Sequence, residues 1–140
     1  MVQPVERHKT AIGRADLSRP IKLALTDGLA SPDTEIFDYG CGRGQDIARL
    51  SSMGFKINGW DPFFRPDAPR NPASIVNLGY VVNVIEDQSE RDEALRDAWS
   101  LAKSVLVVSA RLTAEAREGA ETADHPDGHL TSLGTFQKLF

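Results

Sequence analysis

The run Phe37-Asp38-Tyr39-Gly40-Cys41-Gly42-Arg43-Gly44 joins a short apolar stretch to a helix-forming one, and a second apolar stretch ends at Trp60-Asp61. Glycines at alternate positions let the backbone turn sharply and approach a ligand where any Cβ would collide. A carboxylate that ends the next strand, as Asp61 does here, suits the two hydroxyls of a ribose. Few folds place a strand, a tight glycine turn, a helix and a second strand in that order. The arrangement calls for a parallel α/β sheet that holds a nucleotide-type cofactor at its strand ends.

The rest of the chain supports that class. Ser18 can cap a helix with Pro20 in its first turn and Ile21, Ala24, Leu25 and Leu29 on one face. The spacing predicts a strand over Glu35 to Tyr39 and a helix over Gln45 to Met53, with Ile47, Ala48, Leu50 and Met53 available for burial. A second strand follows from Phe55 to Trp60. Residues 61–74 hold four prolines and read as a loop. Ile75 to Val82 is a third strand-like run. Ser89 with Asp92 opens a helix that carries Ala94, Leu95, Ala98, Leu101 and Ala102, and Val105 to Val108 is a fourth strand. Alternating strands and helices with near-continuous apolar strands imply the doubly wound class, helices on both faces. After Arg111 an Ala/Glu-rich stretch suits a short helix, 124–134 is turn-rich, and 136–140 is apolar again.

At 140 residues one domain is expected, spanning 1–140. The close on Leu139-Phe140 suggests an incomplete or N-terminal portion of a longer protein. No apolar run approaches the ~20 residues of a membrane span, and the N-terminus lacks the apolar core of a secretory signal. No membrane association and a cytoplasmic location are the expectations. The single Cys41 and three scattered histidines, His8, His125 and His129, have no metal-ligand spacing, so no metal is expected. A net charge of −4 argues against coating nucleic acid by bulk electrostatics. Arg7, His8, Lys9, Arg14, Arg19 and Lys22 leave a local basic patch or a solvated surface open as alternatives.

The loop spells G-x-G-x-G, whereas the dinucleotide fingerprint G-x-G-x-x-G needs glycine where Gln45 stands. Asp61 follows Gly44 by 17 residues, near the ~20 common to both cofactor types. FDYGCGRG followed by GWDP resembles the class I S-adenosylmethionine-dependent methyltransferases. The resemblance implies a Rossmann-like, mostly parallel sheet, here of four to five strands and without the final antiparallel pair. It implies S-adenosylmethionine as cofactor, with Gly40, Cys41, Gly42 and Gly44 in the loop beneath the methionine part. Asp38 would lie near the cofactor's amino group, Asp61 at the ribose, and Pro62 and Phe63 beside the adenine. Cys41 itself reads as a space-filler, because no histidine stands nearby in sequence to activate it. Arg43 and Asp46 read as local salt and cap partners.

Asn77-Leu78-Gly79-Tyr80 ends the third strand where amino-directed methyltransferases carry an acid or amide, two prolines and an aromatic. Asn77 and Tyr80 hold the outer positions and the prolines are absent. Two roles stay open: contact with a flipped base, or Asn77 on the cofactor and Tyr80 in the pocket wall. RHKTAIGRADLSRP, VVNVIED and DGHLTSLGTFQK resemble, more narrowly, the methyltransferases associated with bacterial DNA phosphorothioation systems, across essentially the whole chain. That resemblance implies a link to DNA modification and to nucleic acid or a DNA-modification complex as partner. His8-Lys9-Thr10 could close over the site or be a basic lead segment, and His129 and Lys138 are candidates for its rim. For catalysis the candidates are Asn77, Tyr80 and His8. The expected function is methyl transfer from S-adenosylmethionine to an unnamed acceptor. Its rivals are a non-catalytic S-adenosylmethionine-binding module in a nucleic-acid-modification complex and a nicotinamide-dependent oxidoreductase.

Overall fold

In a computed structural model the described residues are 5–10, 16–112, 121–125, 127–131 and 133–140, with the side chains of 8, 10 and 121–125 excluded. Strands β1 (Glu35–Tyr39), β2 (Lys56–Trp60), β3 (Ala73–Gly79) and β4 (Ala102–Ser109) form one sheet in the order β2-β1-β3-β4, every pairing parallel. The chain leaves β1 for one neighbour and returns to the other, so the strand order reverses at β1. This is a Rossmann-like α/β sheet.

Helices α1 (Arg19–Thr26) and α2 (Gln45–Ser52) cover one face, where Ile21, Ile47 and Leu50 pack on Ile36, Ile57 and Ile75. Helix α3 (Gln88–Leu101) covers the other, with Ala98 and Leu101 against Phe37, Val76 and Leu78. Strand alternation explains the division, since neighbours along β1 and β3 point to opposite faces. Between β2 and β3 no helix forms. Residues 61–72 cross the sheet as turns, because the prolines at 62, 66, 69 and 72 remove backbone donors and fix φ. This segment lies on the α3 face: Trp60 Nε1 donates to the Pro66 carbonyl at 3.2 Å, and the Arg70 guanidinium stacks 4.8 Å from the Trp60 ring centre.

Several local expectations change. The third strand runs Ala73–Gly79, because Tyr80 turns into a left-handed conformation, φ 56°. Helix α3 is capped by Asp87, whose carboxylate accepts from the Glu90 amide at 3.0 Å, and Ser89 lies inside the helix. Met53, Leu29 and Leu95 are exposed rather than buried; the first two fall beyond the ends of α2 and α1.

A second sheet of three antiparallel strands, β5 (Glu121–His125), β6 (Gly128–Thr131) and β7 (Phe136–Gln137), occupies the stretch read as turn-rich. It does not extend the parallel sheet. Fully buried Phe136 anchors it, Arg91 on α3 reaches Asp127 at 2.5 Å, and the Lys138 amide donates to the Asn83 carbonyl at 2.8 Å. The Ala/Glu-rich segment expected to be helical, 113–120, lies outside the described residues. No helix among the described residues is long and apolar enough to cross a membrane.

Candidate functional site

The C-terminal ends of β1, β2 and β3 open into one cavity of about 790 Å³. Its floor is the glycine loop. The amides of Gly40 and Cys41 both donate to the Trp60 carbonyl, at 2.8 and 3.0 Å, which fastens the loop to the end of β2. Gly40, Gly42 and Gly44 all have positive φ, and Gly44 starts α2 from that left-handed conformation. At Gly40 a Cβ would stand 2.5 Å from Val81 Cγ2, and at Gly44 it would strike the Arg65 guanidinium. At Gly40 the short Val81 side chain leaves no room for a Cβ, whereas at Gly44 the Arg65 guanidinium could swing away and the positive φ of 76° is what favours glycine.

Asp61 ends β2 with its carboxylate held in place. Oδ2 accepts from the Gly42 amide at 2.8 Å, and Oδ1 accepts from the amides of Phe63 and Phe64 at 2.9 and 3.0 Å. A carboxylate accepts about four hydrogen bonds, so capacity remains on the cavity side. Pro62 and Phe63 form the adjoining rim, Phe63 exposed and in edge contact with Phe64, over which Arg43 stacks.

On the opposite side Asp38, buried at the end of β1, accepts from Asn77 Nδ2 at 3.0 Å. Asn77 Oδ1 is buried without a partner, and so is the hydroxyl of Ser18 at the entry to α1. The Ser18 amide donates to Asp46 Oδ1 at 2.8 Å. Thus Arg43 and Asp46, read from sequence as local partners, point instead to Phe64 and to the head of α1. The Cys41 thiol is pushed up to about 12 by burial, with the charges of Asp38 and Asp61 adding to the effect. It stays protonated and packs as an apolar group.

The third wall comes from α3. Tyr39 donates from its hydroxyl to Asp97 Oδ2 at 2.8 Å, and Arg70 donates to the same oxygen at 2.7 Å. Burial, then the Asp97 hydrogen bond, raises the Tyr39 phenol above its ordinary value. Arg7 closes the far end on Glu86 and Glu90, with three contacts of 2.7 to 2.8 Å; those hydrogen bonds, led by Glu86, keep its guanidinium charged.

Of the residues picked from sequence, Asp38, Gly40, Cys41, Gly42, Asp61, Pro62, Phe63, Asn77 and Tyr80 all line this cavity. Gly44 lies outside its wall, covered by Arg65. The side chain of His8 lies outside the described residues. His129 and Lys138 are elsewhere: His129 is in β6, and Lys138 pairs with Asp127 at 2.6 Å in the small sheet. The suspected basic patch is partly neutralised, Arg7 by Glu86 and Glu90, Lys22 by Asp16. Sequence reasoning missed the free hydroxyl of Ser18, the Tyr39-Asp97-Arg70 network, and Gly59. A Cβ at Gly59 would meet the Asp38 carbonyl at 2.8 Å; a glycine inside a strand is a usable signal of such close approach.

Among the described residues no group of three or more His, Cys, Asp or Glu side chains is placed to hold a metal ion. Neither the models of known protein families nor the curated proteins contain a match to this chain.

Proposed function

We propose that the chain binds S-adenosylmethionine in this cavity and transfers its methyl group to an acceptor that enters between the 61–65 rim and α3. In open α/β sheets, ligands bind at the carboxyl ends of the strands where strand order reverses. The observation that carries the reading is the convergence of Asp38, the glycine turn and Asp61 at that point, with the Gly40 Cα against Val81, too close for a Cβ. The volume suits a ligand of this size, since small-molecule sites run ~300–1,000 Å³. Gln45 in place of a glycine favours this cofactor over a dinucleotide.

In this reading Asp61 accepts from the ribose hydroxyls, Phe63 and Pro62 flank the adenine, and the glycine loop supports the methionine part. Bound there, S-adenosylmethionine supplies a methyl group on a cationic sulfur, which an acceptor lone pair displaces while a neutral thioether leaves. The protein's own contribution is alignment: rigid strand ends and a held carboxylate fix one partner while the α3 wall receives the other. Tyr80, on the rim beside Asn77, is placed to pack on a flat acceptor. The resemblance to phosphorothioation-associated methyltransferases directs the acceptor assignment to nucleic acid.

One observation favours a second reading, a non-catalytic cofactor-binding module within a nucleic-acid-modification complex. Strand β4 is an edge strand with Val108 exposed, and Trp99 and Leu95 are exposed on the adjoining helix. Such a surface suits a chain that works in contact with others. Calorimetry with S-adenosylmethionine and S-adenosylhomocysteine tests the cofactor, and no heat with either sinks the assignment. Transfer of a labelled methyl group to bacterial DNA, RNA or protein separates the two readings: incorporation marks the enzyme, binding without incorporation the module.

A further inference from the structure

Around the cavity Arg7 is held by Glu86 and Glu90, and Arg70 by Asp97. Arg43 and Arg65 have no such partner. Among the described residues neither guanidinium makes an ion pair or a hydrogen bond, and both residues are exposed. They meet at one joint. Arg43 reaches from the glycine loop over the ring of Phe64, its Cζ 5.5 Å from the ring centre. Arg65, the next residue after Phe64, reaches back to the loop and lies against Gly44, the next residue after Arg43. A Cβ on that glycine would stand 3.0 Å from Arg65 Cζ.

A guanidinium packed on a ring or a glycine, and not on a carboxylate, keeps its N–H donors available. Two like charges at one joint also repel, and no acid there offsets them. Asp61 gives its oxygens to the amides of Gly42, Phe63 and Phe64, and Asp67, the acid nearest Arg65 in the chain, pairs with neither arginine. Inside the cavity the sign is the opposite one, set by Asp38 and Asp61. Arg43, Phe63 and Phe64 line the cavity, so the cationic joint adjoins it directly. The site is thus divided, acids within and unpaired cations on its outer rim.

The free donors call for an anion with a planar set of oxygens, which a guanidinium fork engages two at a time. A polynucleotide offers one such charge per nucleotide, so both arginines can be engaged by one strand. Arginines interleaved with phenyl rings favour a polynucleotide over an acidic peptide, because bases have faces that pack on rings. We propose that Arg43 and Arg65 grip phosphates of a nucleic-acid strand lying along the outer side of the 61–65 rim, which presents one nucleotide to the entrance between that rim and α3. The inference rests on the reading above only in taking the bound strand as the methyl acceptor.

The test is fluorescence anisotropy of labelled single-stranded DNA and RNA oligonucleotides on the full chain, with salt raised from about 50 to about 200 mM. Arg43→Gln and Arg65→Gln are each expected to weaken binding several-fold and to reduce the slope of log affinity against log salt by about 0.7, the share of one phosphate on a single strand. Both positions are exposed, so neither change is expected to disturb folding. Lys56→Gln removes the same charge at the start of β2, the end of that strand away from the cavity, and should leave affinity and slope nearly unchanged. Tighter binding of one oligonucleotide names DNA or RNA as the source of the phosphates, and equal binding shows that the shared backbone is what is gripped. No binding at about 50 mM salt, equal losses in all three variants, or equal competition by poly-glutamate overturns the surface. Calorimetry with S-adenosylhomocysteine judges the cofactor separately. Heat without oligonucleotide binding overturns this surface alone, and oligonucleotide binding without heat overturns the cofactor reading alone.

Discussion

Asn77 Nδ2 donates to Asp38 Oδ1 at 3.0 Å, a hydrogen bond between two neighbouring parallel strands made by side chains that are both buried. It fixes the direction of the amide and holds the carboxylate at the cavity. Removing the acceptor strands the donor. Asp38→Ala should therefore lower stability by about 1–3 kcal/mol in urea titrations, the cost of an unpaired buried group. A change near zero would mean that water replaces the carboxylate.

Gly40 and Gly28 share a positive φ but differ in surroundings. A Cβ at Gly28 meets nothing within 4 Å, whereas at Gly40 it meets Val81 at 2.5 Å. Gly28→Ala should cost about 1–2 kcal/mol, the left-handed penalty alone. Gly40→Ala adds overpacking of about 1–3 kcal/mol and should also weaken S-adenosylhomocysteine binding. Equal losses of stability in the two variants would show that Val81 moves aside freely.

Asp61→Ala separates binding from folding. The three amides it frees, on Gly42, Phe63 and Phe64, are at the cavity rim within reach of water. Stability should fall by only about 1 kcal/mol, while affinity for S-adenosylhomocysteine should drop roughly tenfold or more, as a hydrogen bond to a charged carboxylate is lost. Unaltered affinity in calorimetry would remove Asp61 from the site.

The Cys41 thiol, pushed up to about 12 from an ordinary 9.0, gives a defined pH dependence. Its folded pKa is the higher one, so the stabilising effect is complete below about pH 9 and is lost as pH rises toward 12, where the unfolded chain releases a proton that the folded chain keeps. Reaction with a disulfide reagent should be slower than for free cysteine and should climb through pH 10 without a plateau. A plateau near 9 would show an ordinary, solvated thiol.

The chain has two tryptophans in contrasting settings. Trp60 packs on Tyr39 and under Arg70 in the cavity wall, while Trp99 is 70% exposed on α3. In Trp99→Phe the emission should respond to S-adenosylhomocysteine. In Trp60→Phe it should stay constant, and the opposite pattern would place the ligand outside this cavity.

The parallel sheet and the glycine loop were legible because local demands define them: positive φ at Gly40, Gly42 and Gly44 restricts those positions, and unbroken apolar runs mark buried strands. The pairing of Asn77 with Asp38 was not legible, because it depends on strand register between segments far apart in sequence. The hydroxyl of Ser18 was misread for a related reason, since local rules see only a helix cap. The β5-β6 hairpin hid within 124–134, where closely spaced turn residues obscure the alternation that marks a strand. At α3, Asp87 and Ser89 competed for one cap, and Asp87 holds it because its carboxylate reaches the Glu90 amide.

The proline-rich crossing at 61–72 has a consequence for how fast the site fills. Four residues there have φ set by their own rings before folding begins, so the rim has few competing shapes to abandon when a ligand arrives. Entry should then be limited by encounter rather than by a slow closing step, with a single exponential in stopped-flow mixing whose rate grows in proportion to ligand concentration.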